Sequence, residues 1–212
     1  MMDFIRKGLE NIRGKGKLEL ISLHIPKTAG TSFRNTLKAI YGDEAVVRLD
    51  IYDPHRGAER VQINQEVYPQ SYFPKSAKVI HGHFKLKDLH HFFDVPEEVP
   101  MITWLRDPVE RVISNYYYLV QRLSDEVDKL GANRNLLRRM QRTLIEFARD
   151  EENRDRMSKF LSGVELEKLA FVGIQEHYSE DLSTLAQQLG WNMVTEFKYN
   201  ITPKKYAVSA AD

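Results

Sequence analysis

Three short stretches of this chain hold the residues best able to do chemistry. The first, Leu20-Ile-Ser-Leu-His-Ile-Pro-Lys-Thr-Ala-Gly-Thr-Ser-Phe-Arg34, runs an apolar strand directly into a small-residue loop with one lysine, and then into a helix. Such a junction cradles phosphate. Loop N–H groups and the unpaired N–H groups of a helix start converge on an anion, the helix dipole favours negative charge there, and Lys27 adds a point charge. The nucleotide P-loop needs an earlier glycine and a Gly-Lys-Ser/Thr triplet. Here Pro26 replaces the glycine of the triplet and His24-Ile25 stand where more loop is required, so phosphate is held differently from a P-loop ATPase.

The second stretch is Met101-Ile-Thr-Trp-Leu-Arg-Asp-Pro-Val-Glu-Arg-Val-Ile-Ser-Asn-Tyr-Tyr-Tyr-Leu119. Asp107, Pro108 and Glu110 read as N-cap, first-turn proline and third helical position, which fixes a helix start and holds Arg106 at the strand–helix boundary. A guanidinium there can clamp phosphate through two donors, and Ser114, two turns on, can add a hydroxyl. The plainer alternatives are an ion pair of Arg106 with a nearby carboxylate and a Ser114 that fills a helix surface. Asp107 also imitates the aspartate that ends a Walker B strand, but its place as a cap explains it better.

The third stretch is Val79-Ile-His-Gly-His-Phe84. Residues two apart on an extended segment point the same way, so His81 and His83 share a face, with Gly82 permitting close approach between them. Two histidines make an incomplete zinc shell and no third ligand stands at a suitable spacing, so no metal is expected. Either imidazole can serve as a proton acceptor near neutral pH, or as a structural hydrogen-bonding group.

Ile21 to Phe33 resembles the 5′-phosphosulfate loop of sulfotransferases that use 3′-phosphoadenosine 5′-phosphosulfate (PAPS), in particular the carbohydrate branch that includes heparan sulfate 2-O-sulfotransferase. The segment around Arg106 and Ser114 is similar to that family's 3′-phosphate motif, and Val79 to Phe84 to its His-Gly-His segment. Phe171-Val-Gly-Ile-Gln-Glu-His-Tyr178 extends the likeness weakly, with His177 read as structural. The resemblance implies in-line transfer of a sulfuryl group from PAPS, with adenosine 3′,5′-bisphosphate (PAP) as product and no metal. It implies a 5′-side cradle of Pro26, Lys27, Thr28, Ala29, Gly30, Thr31 and Ser32, with Lys27 stabilising charge on the leaving oxygen. Arg106 and Ser114 would hold the 3′-phosphate. His83 would be the base, and His81 a second candidate or an orienter of the acceptor. Asn153 and Arg156 would touch the acceptor, a carbohydrate or glycolipid hydroxyl. Thr202 and Lys204 would close over the nucleotide, although the chain stops at Asp212, short of the final helix usual in the family. A nucleotide kinase or ATPase and an inactive nucleotide- or glycan-binding relative are the alternative readings.

The rest of the chain bounds these readings. Its 212 residues, 42% apolar, can bury a sizeable core as one α/β domain, a parallel sheet flanked by helices with a P-loop-like phosphate-binding loop. A net charge of +1 argues against bulk attraction to nucleic acid or membrane. There is no cysteine, so disulfides and thiolate metal sites are excluded. No apolar run reaches the roughly 18 to 20 residues of a membrane span and no signal-peptide core is evident, which predicts a cytoplasmic protein.

The elements that must position the motifs follow from periodicity. Residues 1–17 read as a basic amphipathic helix, able at most to touch an acidic membrane surface weakly, ahead of a sulfotransferase domain over 18–212. Strands are predicted over Leu18–Ile25, Ala77–His81 and Pro100–Leu105, with a helix over Thr31–Tyr41 whose face is Phe33, Leu37 and Ile40. Asp43–Ser76 reads as irregular with one helical piece near Ala58–Gln65. Ser124–Gly163 reads as charged helices carrying Arg134, Arg138, Arg139 and Arg142, a solvated face or a glycan-binding cluster. Ligands of such parallel sheets sit beyond the strand C-terminal ends, where all three motifs fall.

Overall fold

The computed structural model describes residues 18–52, 61–130, 141–192 and 194–197. The proposed N-terminal helix, Arg134, Arg138, Arg139, Thr202 and Lys204 lie outside those residues. The described strands are β1 (Leu20–Leu23), β2 (Val46–Ile51), β3 (Val61–Ile63), β4 (Glu66–Val67), β5 (Val79–His83), β6 (Met101–Leu105) and β7 (Phe171–Ile174). They form one seven-stranded sheet in the order β4-β3-β2-β5-β1-β6-β7. The run β2-β5-β1-β6-β7 is parallel throughout, and β3 and β4 add an antiparallel hairpin at the edge. The helices are α1 (Gly30–Tyr41), α2 (Leu86–Phe92), α3 (Pro108–Leu130), α4 (Leu144–Arg149), α5 (Arg156–Phe160) and α6 (Tyr178–Leu189). The expected single α/β domain with a mostly parallel, helix-flanked sheet is the fold found.

Both faces of the sheet are covered, which is why its central strands are apolar on both sides. Ile21, Leu23, Val47, Leu49 and Ile80 pack beneath Phe84, Leu89, Phe93, Val95 and Val99. On the other face Leu20, Val46, Val79, Ile102 and Trp104 meet Phe33 and Leu37 of α1 and Leu182 and Leu185 of α6. Gly42, at φ 91°, ends α1 where expected, and Ile40 is only half-buried.

Several expectations need correction. The first strand is shorter than Leu18–Ile25, because the chain must turn at Pro26, which has no N–H to give. The second is displaced toward the C-terminus, so it is Val79–His83 and contains both histidines. The stretch Asp43–Ser76, read as irregular, holds β2, β3 and β4. Strand β2 does not read as a strand because Arg48 and Asp50, which pair with each other, interrupt its apolar run. No helix covers Val61–Gln65. Val61–Ile63 is a strand, and Asn64 (φ 52°) and Gln65 (φ 73°) form the two-residue turn into β4. Positive φ at both turn positions matches the twist of a hairpin, and asparagine tolerates it.

Candidate active site

Strands β5, β1 and β6 are neighbours, and each ends in one of the three motifs. Leu23 pairs with Gly82 on one side and Thr103 on the other, and the His24 N–H donates to the Gly82 carbonyl at 2.8 Å. From β1 the chain passes to one side of the sheet, and from β5 it crosses to the other. The crevice at such a reversal is where open α/β sheets bind ligands.

The loop after β1 is a tight fold of backbone. Lys27 (φ 75°) and Ala29 (φ 66°) both occupy the left-handed region, which for non-glycine residues costs on the order of 1–3 kcal/mol each and recurs at ligand clamps. Thr28 is fully buried and its hydroxyl donates to the Ile25 carbonyl at 2.8 Å, tying the loop across its neck. The first helical bond runs from the Phe33 N–H to the Ala29 carbonyl at 3.0 Å, so the N–H groups of Gly30, Thr31 and Ser32 precede the helical ladder. Thr31 is exposed and Ser32 buried. A Cβ on Gly30 would stand 1.9 Å from the His24 ring, so only glycine lets the helix start this close to β1. Lys27 has its pKa lowered to about 8, first by burial and then by the Arg106 charge.

Arg106 reaches this loop from β6. Its Nη1 donates to the Lys27 carbonyl at 3.3 Å and its Nη2 to Glu110 at 3.5 Å, while its buried Nε stands 3.8 Å from a Glu176 oxygen without a hydrogen bond. The ion-pair alternative is thus present. Asp107 caps α3 as expected, its Oδ1 accepting the Val109 and Glu110 N–H groups at 2.9 Å each. Glu110 serves Arg106, and the Asp107 N–H goes to Glu176 at 3.2 Å. Ser114 is buried. Beside Arg106 opens a cleft of about 550 Å³ walled by Leu105, Met157, Leu161, Ile174 and Glu176.

The two histidines of β5 occupy different environments. His81 is buried, with Nδ1 2.9 Å from the Ser22 hydroxyl and Nε2 without a hydrogen bond. Burial, reinforced by the charges of His83 and Arg34, pushes its pKa down to about 3. His83 is partly exposed, and its Nδ1 lies 2.6 Å from Oδ1 of Asp50. Between them lies His24, whose ring is 5.0 Å from that of His81 and 4.4 Å from that of His83, centroid to centroid. Burial and then the charges of His83 and His81 hold His24 well below the usual histidine range. Asp50 is 1% exposed, with Oδ2 2.7 Å from Arg48 Nε. Burial pushes its carboxyl up, but the hydrogen bond from His83 and the charges of His83 and Arg48 outweigh it and hold it below the usual carboxylate range. Among the described residues no group of three or more histidines and carboxylates is arranged to hold a metal ion.

The expected acceptor contacts have partners of their own. The Asn153 amide donates to Phe147 O at 3.0 Å, and its own carbonyl accepts from the buried Arg111 at 2.8 Å. Arg156 donates to Glu152 O at 3.2 Å and sits over the Phe160 ring. Arg142 pairs with Asp150 at 3.0 Å. Sequence reasoning missed His24, Arg48 and Asp50. His24 stood inside the loop motif, and the acid–base pair inside an apolar run was the available signal for the other two.

The family model described as “Sulfotransferase family” matches residues 11–206. The chain belongs to the sulfotransferase family. Among solved structures it is similar to mouse sulfotransferase SULT7A1 complexed with PAP, at 13% identity and a TM-score of 0.51, covering 84% of this chain and 60% of that one. A sulfotransferase from Alicyclobacillus acidocaldarius is also similar, at 13% identity and a TM-score of 0.46, with 89% and 87% of the two chains covered. The chain thus spans 60% of the mouse protein's length, and the likeness is one of fold. No curated protein gives a significant match. Among the described residues of this sulfotransferase family member, no helix is long and apolar enough to cross a membrane.

Proposed function

We propose that the protein transfers a sulfuryl group from PAPS to a hydroxyl of a carbohydrate or glycolipid, as heparan sulfate 2-O-sulfotransferase-like enzymes do, with PAP as the second product. The observation that carries this reading is the convergence, at the ends of β5, β1 and β6, of a histidine pair, a tight loop ahead of a helix start and a half-buried arginine. The residues fit the donor. Arg106 has a buried Nε without a hydrogen bond, the N–H groups at the start of α1 are ahead of the ladder, and an open cleft adjoins Arg106. The PAP named with the mouse structure supports the same donor.

PAPS supplies the activated sulfuryl group. The N–H groups from Thr28 to Ser32, with the hydroxyls of Thr31 and Ser32, cradle its 5′ side, and Arg106 with Ser114 holds the 3′-phosphate. Lys27 stabilises charge on the oxygen that leaves, a task that belongs to the transition state. His83 takes the acceptor proton. His81 is the weaker candidate, since a buried imidazole at about 3 is a poor base at neutral pH. The loose transition state of the analogous phosphoryl transfer leaves positioning and charge as the chain's main contributions.

Two measurements test this. In a thermal-shift panel PAP should stabilise the protein more than ATP or ATP with magnesium; the reverse order favours a kinase. Transfer to a competent glycan acceptor is then followed from about pH 5 to 9 for wild type, His81→Ala and His83→Ala. Loss of about a hundredfold to ten-thousandfold in rate is expected for His83→Ala. Activity retained in both variants would remove histidine from the mechanism.

A further inference from the structure

We propose that Asp50 is a positioning residue for His83: its buried carboxylate holds the imidazole with the proton on Nδ1 and Nε2 open to the acceptor, and Arg48 fixes that carboxylate in turn. This rests on the reading of His83 as the base. The geometry begins in the backbone. Parallel pairing sets Asp50 opposite His83 and Arg48 opposite His81, so one register fixes all four residues. Oδ1 of Asp50 takes the ring Nδ1–H of His83 at 2.6 Å and lies 3.4 Å from its backbone nitrogen, so the imidazole is oriented both through its ring and through its strand. An ionised carboxylate only accepts hydrogen bonds, so Nδ1 carries the proton and Nε2 keeps its lone pair.

Stability alone does not explain the pair. Replacing a buried ion pair with apolar residues is commonly neutral or stabilising, and on the same face of β2 the preceding position is Val46, packed into the core. Two strand positions that could extend that core instead carry Arg48 and Asp50, 2.7 Å apart, beside the partly exposed imidazole of His83.

The consequence for transfer is definite. Nε2 of His83 accepts the acceptor proton as the acceptor oxygen bonds to sulfur and the bond from sulfur to the bridging oxygen of the nucleotide breaks. His83 then carries a positive charge, and Asp50 is the anion beside it. The other groups around His83 oppose that charge or leave it unaided: His24 from β1 and His81 from β5 act on it, Arg48 from β2 shares Asp50 with it, and Arg34 from α1 acts on His24 and His81. An orienting carboxylate in this relation to a histidine is the third member of a general nucleophile–base arrangement.

The test compares wild type, Asp50→Asn, Asp50→Glu, His83→Ala and the double variant Asp50→Asn with His83→Ala. Asp50→Asn should lower kcat about a hundredfold or more while the KM for PAPS stays within about threefold. Asp50→Glu should recover part of the rate, and the double variant should be no slower than His83→Ala. A purely structural Asp50 would lower the melting temperature with kcat unmoved, which overturns the proposal. A wild-type rate in His83→Ala overturns the base reading and this inference together; an inactive His83→Ala beside a fully active Asp50→Asn overturns this inference alone. Nitrogen-15 NMR of the wild-type imidazoles gives a readout independent of activity and of how the variants fold: His83 with its proton on Nδ1 is expected, and a proton on Nε2 would refute the arrangement.

Discussion

The Nζ of Lys27 lies 4.0 Å from the centre of the Tyr118 ring, so the cation of the loop after β1 rests on an aromatic face of α3. Burial and the Arg106 charge have already brought that ammonium to about 8. The protonated form is the one that attracts an anionic nucleotide. Below about 8 the cation is present in the free protein. Above it, binding must first take up a proton, and affinity for PAP should fall by up to about tenfold per pH unit. Calorimetry in buffers of different ionisation heat should show proton uptake growing as pH rises through this range; uptake that stays at zero would separate Lys27 from the nucleotide.

Replacing the same lysine distinguishes binding from catalysis. Lys27→Ala should reduce turnover more than it weakens PAPS, since the charge it answers develops during transfer. A variant whose turnover number is intact and whose Michaelis constant alone rises would place Lys27 in ground-state binding.

Arg106→Ala removes a charge-assisted clamp worth roughly 1.5 to 3 kcal/mol, about tenfold to a hundredfold in affinity. The loss should appear with PAP and be much smaller with the nucleotide lacking the 3′-phosphate. Equal losses for the two nucleotides, measured side by side, would mean that Arg106 does not read that group.

Two glycines differ in what stands over them. A Cβ on Gly82 would lie 1.8 Å from the Leu49 carbonyl oxygen, part of a strand backbone that cannot move aside, whereas one on Gly30 meets the side chain of His24. Gly82→Ala should therefore lower the melting temperature more than Gly30→Ala. Gly30→Ala should cost about 1–3 kcal/mol through overpacking and weaken PAP binding as His24 and the helix start are pushed apart. Equal melting temperatures for the pair would contradict this ranking.

Leu185 on α6 is fully buried against the apolar ends of the strands, grouped with Leu20 and Leu37. Leu185→Ala should cost about 2–5 kcal/mol by leaving a cavity. Its affinity for PAP, measured well below the melting transition, should remain within about twofold. A large loss of affinity would show that the core and the crevice are coupled.

The motifs were legible in the sequence because each is local: a strand, a turn and a helix start within some fifteen residues carry their own geometric logic. The helix cap at Asp107 and the stop at Gly42 were readable for the same reason. The partner of His83 was not, since Asp50 is 33 positions away and comes beside it only through parallel pairing. Local spacing holds no trace of a register between two strands. Strand β2 was hidden by the same residues, as a charge pair within an apolar run reads as a break until the strands are assembled. Which of His81 and His83 has access to solvent was likewise invisible, because Phe33 of α1 and Ser22 of β1 come against His81 only once the elements are assembled.

On the face beneath α1, three strands change character at the same height. Leu20, Val46 and Val79 form an apolar row; Ser22, Arg48 and His81 form the next; and Asp50 and His83, followed by His24, form the outermost. Hydrogen bonding between the strands locks these tiers level, so the boundary between scaffold and chemistry is a line drawn across the sheet. The outermost tier is a replaceable course on a fixed wall. A relative built on the same wall could exchange those three side chains as a set and acquire different chemistry at the crevice, while the tier below kept its strands aligned and the loop after β1 kept its shape.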